Sequence, residues 1–301
     1  MNPPEIMRTL NSYYAIRFER LEFLRNAGSI TYAAHSGERR YFLRITKPAA
    51  SETASSALDV HLFLLAKGFP VPRIIFTKEG LPCVKKSGQS LLLYEFIEGR
   101  EVSPEEDAAA IGALTGNLHK IMAEYPGPLI ERGKYGYIER YIGQIRKKGY
   151  PGGDEFAEYG ESLWERVKYL PTGYCHGDLY SGNIHKTPDG RLYVLDFDTS
   201  CRGFPMYDLA LICNRTNYFS FKEDGCFRSG ETLARLLPEY LKLSSLSKQE
   251  INAFYDMIAL YHFELQGRII DSFGLDCVDN GFLDRQLDWL RKWREQSAKI
   301  K

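Results

Sequence analysis

The chain has no surplus of charge of either sign: Lys and Arg together number 39, and so do Asp and Glu. That balance argues against a partner bound by neutralising nucleic-acid phosphates, while leaving room for a local basic pocket. The six cysteines form no C-x-x-C pair and no Cys/His metal spacing. They read as reduced, mostly buried thiols of a cytoplasmic protein. The start, MNPPEIMRTL, lacks the apolar stretch of a secretory leader, and no apolar run approaches a membrane span. Nucleic acid and membrane are therefore not expected partners. There is no internal repeat and no low-complexity tract. What the chain does have is 301 residues at 44% hydrophobic content, enough for one large core or two modest ones.

Along the chain, residues 5–26 show near-helical spacing of Ile6, Leu10, Tyr13, Tyr14, Phe18 and Leu21. Two β-type runs flank HSGER, a hairpin signal. Residues 52–67 return to helical character and stop at Gly68. RIIFT, CVKK and SLLLYEF read as three further strands. After IEGR the pattern changes. Ser103, Pro104 and Glu106 spell a helix start, and Ile111, Leu114, Leu118 and Ile121 mark one face. Helices fit 136–147, 154–169 and 281–296, and Ser247 with Glu250 spells a second capping box before another. The expected architecture is α+β, with a small β-rich lobe carrying one helix over 1–97 and a mostly helical lobe over 98–301.

One stretch breaks the helical run. GYCHGDLYSGNIHKTPDGRLYVLDFD, residues 173–198, holds four aspartates, an asparagine and two histidines. TPDGR is a turn signal between two β-type runs. If it closes a hairpin, Asn183 and Asp196 come to the same open end, and Asp178 can point there from the preceding loop. Two oxygen side chains converging suit Mg²⁺, which takes few protein ligands and completes its shell with water and phosphate. A carboxylate, an amide oxygen and a second carboxylate around Mg²⁺ is the arrangement of phosphoryl transfer, where the protein positions groups and neutralises charge. Each residue alone would more often be a turn or cap; the argument is joint. His176 reads as a loop-holding histidine rather than a proton carrier, and His119 as a satisfied structural one.

The spacing agrees with protein kinases, which carry H-R-D, four residues, Asn, and then D-F-G. Here His176-Gly177-Asp178, four residues, Asn183 and Asp196-Phe197-Asp198 stand in that order. With FPMYDLAL following, the chain resembles the aminoglycoside phosphotransferase and choline kinase family, a protein-kinase-like fold of small-molecule kinases. The resemblance implies ATP and Mg²⁺ as cofactors and a small-molecule hydroxyl as phosphate acceptor. Asp178 would be the base, Asn183 and Asp196 the metal ligands, and Asp208 the brace of the catalytic loop. Arg44 in YFLRI stands where kinases place the lysine that holds nucleotide phosphates, and a guanidinium does this as a fork. Its acidic partner by position is Asp59, with Glu52 the competitor. Glu95 and Ile97, in YEFI, match the lobe connector whose backbone meets an adenine edge. The chain lacks G-x-G-x-x-G, as members of that family often do. It also lacks A-P-E, which argues against a protein kinase. The other reading is a catalytically inactive nucleotide-binding or scaffold member.

Overall fold

Asn2 opens the first helix through a reciprocal capping box with Glu5. The computed structural model describes residues 1–26, 28–46 and 51–300, the side chains of 51–55 apart. In chain order the elements are α1 (Pro3–Tyr13), β1 (Arg20–Asn26), β2 (Ser29–Ser36), β3 (Arg39–Thr46), α2 (Ser51–Ala66), β4 (Val84–Lys86), β5 (Gln89–Glu95), β6 (Arg100–Glu101), α3 (Ala108–Met122), β7 (Ile130–Glu131), α4 (Arg140–Lys148) and α5 (Gly153–Val167). Then follow β8 (Gly173–Cys175), β9 (Ile184–Lys186), β10 (Leu192–Val194), β11 (Cys201–Gly203), α6 (Pro205–Cys213), α7 (Gly225–Leu241), α8 (Lys248–Asn252), α9 (Phe254–Phe273) and α10 (Asn280–Ile300). Two compact units result, Met1–Glu101 with Ile184–Thr199, and Val102–Asn183 with Ser200 onward. Among the described residues no helix is long and apolar enough to cross a membrane.

The first unit is built on an antiparallel sheet of order β1-β2-β3-β5-β4. Strand alternation divides its side chains between two faces. On one face Leu43, Ile45, Leu91 and Leu93 pack with Ile6, Leu10 and Tyr14. On the other, Leu92 and Tyr94 pack with Phe42 and with Leu58 and Leu62 of α2. Each such leucine contributes about 1.5–3 kcal/mol through burial. Arg44 shares the Phe42 face, so it lies on the α2 side of the sheet.

Three sequence expectations differ here. The helix over 5–26 ends at Tyr13, and Arg20–Asn26 is strand β1. Asn11 makes the break, because its side chain donates to the Phe18 carbonyl at 3.0 Å and accepts from the Phe18 amide at 2.7 Å. RIIFT makes no strand of its own; Ile74 alone bridges to Tyr94. The helix after IEGR starts at Ala108 rather than at Pro104. The Ser103 hydroxyl accepts from the Glu106 amide at 3.4 Å, and the Asp107 carboxylate accepts from the Ser103 amide at 3.0 Å. The cap signal closes a turn first, and the helix follows it.

In the second unit α3 lies close on α7. A Cβ at Gly112 would stand 2.2 Å from the Leu236 carbonyl oxygen, and one at Gly116 would stand 2.7 Å from that of Tyr240. Only glycine permits that approach. β8 pairs antiparallel with β11, Cys175 opposite Cys201, and β11 pairs parallel with β7. β8 ends at Cys175, so His176, Gly177 and Asp178 leave directly from its end. The Ser247/Glu250 box forms as read and opens α8.

Candidate active site

The loop after β8 is held from beneath. Asp208, fully buried on α6, accepts from the His176 amide at 2.6 Å and from the Gly177 amide at 2.9 Å. His119 Nε2 stands 3.1 Å from the same carboxylate, and His119 Nδ1 lies 2.8 Å from the Tyr240 hydroxyl. Burial opposes ionisation of Asp208, yet the His119 side chain, the nearby His176 and the Gly177 N–H hold its carboxyl below the usual range. Gly177 has φ +79, a left-handed turn that glycine takes without strain. His119 is thus satisfied at both nitrogens, and His176 is fully buried within the loop.

Asp178 follows that turn. Asn183 Nδ2 donates to the Asp178 carbonyl at 2.8 Å and reaches its Oδ2 at 3.4 Å. The amide nitrogen is thereby committed, which leaves the Asn183 side-chain oxygen as the group able to serve a ligand. Two arginines surround the loop. Arg132 Nη1 donates to the Gly177 carbonyl at 3.1 Å and to Glu264 at 3.2 Å. Arg268 Nη1 stands 3.6 Å from Asp178 Oδ1 and 3.8 Å from Glu264 Oε1. The Tyr207 hydroxyl also donates to Glu264. Neither arginine was marked by any motif, and both come from segments distant in sequence from the loop.

In the first unit, β9 and β10 form the expected hairpin, with Ile184 opposite Val194 and Lys186 opposite Leu192. Thr187 and Arg191 close its turn at 2.9 Å. Asp196 follows β10 in left-handed backbone, φ +58, a conformation that costs a non-glycine residue roughly 1–2 kcal/mol. Phe197 beyond it is buried edge-on to His61. Burial lowers the His61 pKa to about 4 although its Nε2 meets the Pro72 carbonyl at 2.7 Å. His61 is therefore neutral at pH 7.

Arg44 Nε donates to Ser29 Oγ at 2.9 Å, its Nη2 donates to Asp198, and its Nη1 lies 3.7 Å from Asp196 Oδ1. The expected pairing with Asp59 is not what the structure contains: Asp59 is exposed on α2, and the carboxylates at Arg44 are those of Asp198 and Asp196. The competitor Glu52, by its side chain, and Lys47 lie outside the described residues. Asp198 Oδ1 is buried with no hydrogen-bond partner, and the Asp196 side chain is 40% exposed. An orphaned carboxylate oxygen beside an accessible carboxylate is a donor set that fits a hard divalent cation. Among the described residues no cluster of three or more His, Cys, Asp or Glu side chains is placed to hold a metal. Such a sparse set suits an ion that keeps water and phosphate as its other ligands. The Glu95 amide donates to the Arg73 carbonyl at 2.9 Å, and its carboxylate accepts from the Arg73 amide at 2.9 Å. Ile97 follows β5 and is half-buried.

Residues 21–245 match the phosphotransferase enzyme family. An uncharacterised protein of Deinococcus radiodurans is 24% identical, over 98% of this chain and 90% of its own length. A homoserine kinase of Rhodopseudomonas palustris (strain HaA2) is 27% identical, over 69% of this chain and 64% of its own length. Among solved structures, an amicoumacin kinase in complex with AMP-PNP and Ca²⁺ has a TM-score of 0.77 at 20% identity, covering 98% of this chain and 94% of that one. A microcompartment-associated aminopropanol kinase has 0.74 at 17%, covering 98% and 97%. These likenesses establish the fold as the α+β, protein-kinase-like one.

Proposed function

Because this chain belongs to the phosphotransferase enzyme family, we propose that it transfers the γ-phosphoryl group of ATP to a hydroxyl of a small molecule. The observation that carries this reading is the braced loop: Asp208 grips the amides of His176 and Gly177, and Asn183 ties back to Asp178. A loop so restrained can hold a carboxylate within hydrogen-bond reach of an acceptor hydroxyl, the range at which a base acts. Asp178 orients the hydroxyl and takes its proton as the oxygen bonds to phosphorus and the bond to ADP breaks. Asn183 and Asp196 hold Mg²⁺, with Asp198 beside them. The chain runs from Asn183 straight into β9 and reaches Asp196 two residues after β10, whose Val194 pairs with Ile184. A bound Mg²⁺ supplies charge neutralisation on the phosphates. Arg44 contributes a fixed fork for phosphate oxygens, and Glu95 and Ile97 border the adenine.

The direct test is ADP release from ATP and Mg²⁺ across a panel of hydroxyl-bearing metabolites. Stoichiometric nucleotide binding without turnover on any of them would instead favour the inactive, binding reading.

Two substitutions test the ligands. Asp196→Ala is expected to weaken Mg²⁺-dependent nucleotide binding more than Asn183→Ala, since it removes a charge as well as an oxygen. Its effect should reach at least the roughly 10- to 100-fold that outer-shell partners alone are worth, as read by calorimetry with and without Mg²⁺. Equal effects of the two would place the metal elsewhere. Arg44→Ala should lower nucleotide affinity further than Arg44→Lys, because lysine keeps the charge and loses the fork. Parent-like nucleotide binding and turnover in Arg44→Ala would move the phosphate contact to another cation, with Lys47 next to be replaced.

A further inference from the structure

The proposed base has a cation beside it that no protein group hydrogen-bonds. Arg268 lies on α9 seven residues after Tyr261 and four after Glu264, a spacing that puts all three on one helix face. Its 3.6 Å and 3.8 Å approaches to Asp178 and Glu264 are too long for hydrogen bonds. The Nη1 atom is buried with no hydrogen-bond partner, while the side chain as a whole is 35% exposed. A guanidinium carries five N–H donors. A half-buried one that faces two carboxylates without hydrogen-bonding either, next to the group that would meet the acceptor hydroxyl, keeps its N–H donors for a further anion.

The surrounding charges point the same way. Glu264 is already occupied by Arg132 and the Tyr207 hydroxyl. Four further acidic residues of this unit have partners of their own. Asp271 takes Arg140 and Gln144, Asp276 takes Lys148, Asp284 accepts from Tyr150, and Asp279 caps the Phe282 amide. A purely cationic acceptor at Asp178 would stand beside the Arg268 guanidinium, a repulsive pairing.

We infer that the phosphate acceptor carries a carboxylate bound by Arg268, so the substrate class is a short hydroxyl-bearing carboxylic acid. This rests on the phosphotransfer reading above for the role of Asp178. Because Arg268 and Asp178 are neighbours, the reacting hydroxyl and the carboxylate are separated by only a short carbon chain.

The test uses acceptor pairs that differ only by the carboxylate: L-serine with ethanolamine, L-homoserine with 3-aminopropan-1-ol, and glycerate with ethylene glycol. For the parent, ADP release is expected with a carboxylate member in preference to its partner. Arg268→Gln should raise KM for that carboxylate about 10- to 100-fold with a smaller change in kcat. Arg268→Lys should recover part of the loss, and KM for the decarboxylated partner should rise less than KM for the acid, whatever the change in kcat common to both. Calorimetry on the same acids without ATP reads the anion site separately. Binding lost in Arg268→Gln but with no ATP consumed would keep the site and sink the phosphotransfer reading. Turnover of alcohols, amino alcohols or aminoglycosides but of none of the acids would overturn the inference and leave the kinase standing. Absence of calorimetric binding for all three acids would overturn it as well.

Discussion

Asp178→Asn is expected to lose about 10²–10⁴-fold in kcat, the range of general-base positioning, while nucleotide affinity stays near the parent value. The substitution preserves shape, and the ties of the loop survive it: Asp208 still accepts from the His176 and Gly177 amides, and Asn183 Nδ2 bonds the backbone carbonyl of residue 178 at 2.8 Å. What disappears is the proton acceptor and the charge facing Arg268. Steady-state ADP release together with nucleotide calorimetry separates the two quantities. Parent-rate turnover would take the base role away from Asp178, and a joint loss of rate and nucleotide affinity would reassign it to ligand binding.

Asp208→Ala should cost about 3–5 kcal/mol of stability, the scale for removing one partner from a buried charged network. Three donors lose their acceptor at once: the amides of His176 and Gly177 and the ring of His119. The effect carries a pH signature. The Asp208 carboxyl is held below its ordinary value in the folded protein, so its contribution is fully present above the unfolded value of about 3.9. It is lost as pH falls from there through the depressed folded value. Asp208→Asn should therefore narrow the stability gap to the parent as the solution is acidified below about pH 4. Trp164, Trp289 and Trp293, the only tryptophans, all lie in the second unit. Urea titrations followed by their fluorescence report on the part of the chain that Asp208 supports. A gap that is constant across that pH range would mean the carboxyl is not what the loop depends on.

The legible part of the candidate site was the part written locally. HGD, Asn183 and DFD sit within twenty-three residues of one another, and the TPDGR turn gives the β9–β10 pairing by counting alone. The HSGER hairpin and α2 were equally readable, because one face of each is buried and periodicity records it. β1 was missed for the opposite reason. As an edge strand it is almost wholly exposed along its length, so no buried face imposes alternation, and the near-helical spacing of α1 runs on through Phe18 and Leu21. Partner identity was the least readable feature. Arg44 and Asp198 are separated by 154 positions, and position along the chain pointed to Asp59 instead. Arg268 lies in an amphipathic helix where an arginine looks like ordinary surface; only its distance to Asp178 marks it.

The Arg100–Lys186 and Glu101–His185 pairs join β6 to β9, and the Val194 amide donates to the Pro70 carbonyl at 3.0 Å. The first unit is therefore written in two pieces of the message. On the ribosome, its sheet and α1 emerge early, yet the hairpin that completes it is not made until residue 199. The intervening 98 residues, from 101 to 199, take roughly 5–20 s at about 5–20 residues per second. During that interval the β6 edge has no neighbour and its backbone groups are open to any passing strand. A nascent chain paused near residue 150 should be cleaved by added protease around Arg100, and one released past residue 199 should resist there. Any attempt to produce the first unit alone must likewise splice 184–199 back onto it, since a fragment cut after Glu101 ends with that edge bare.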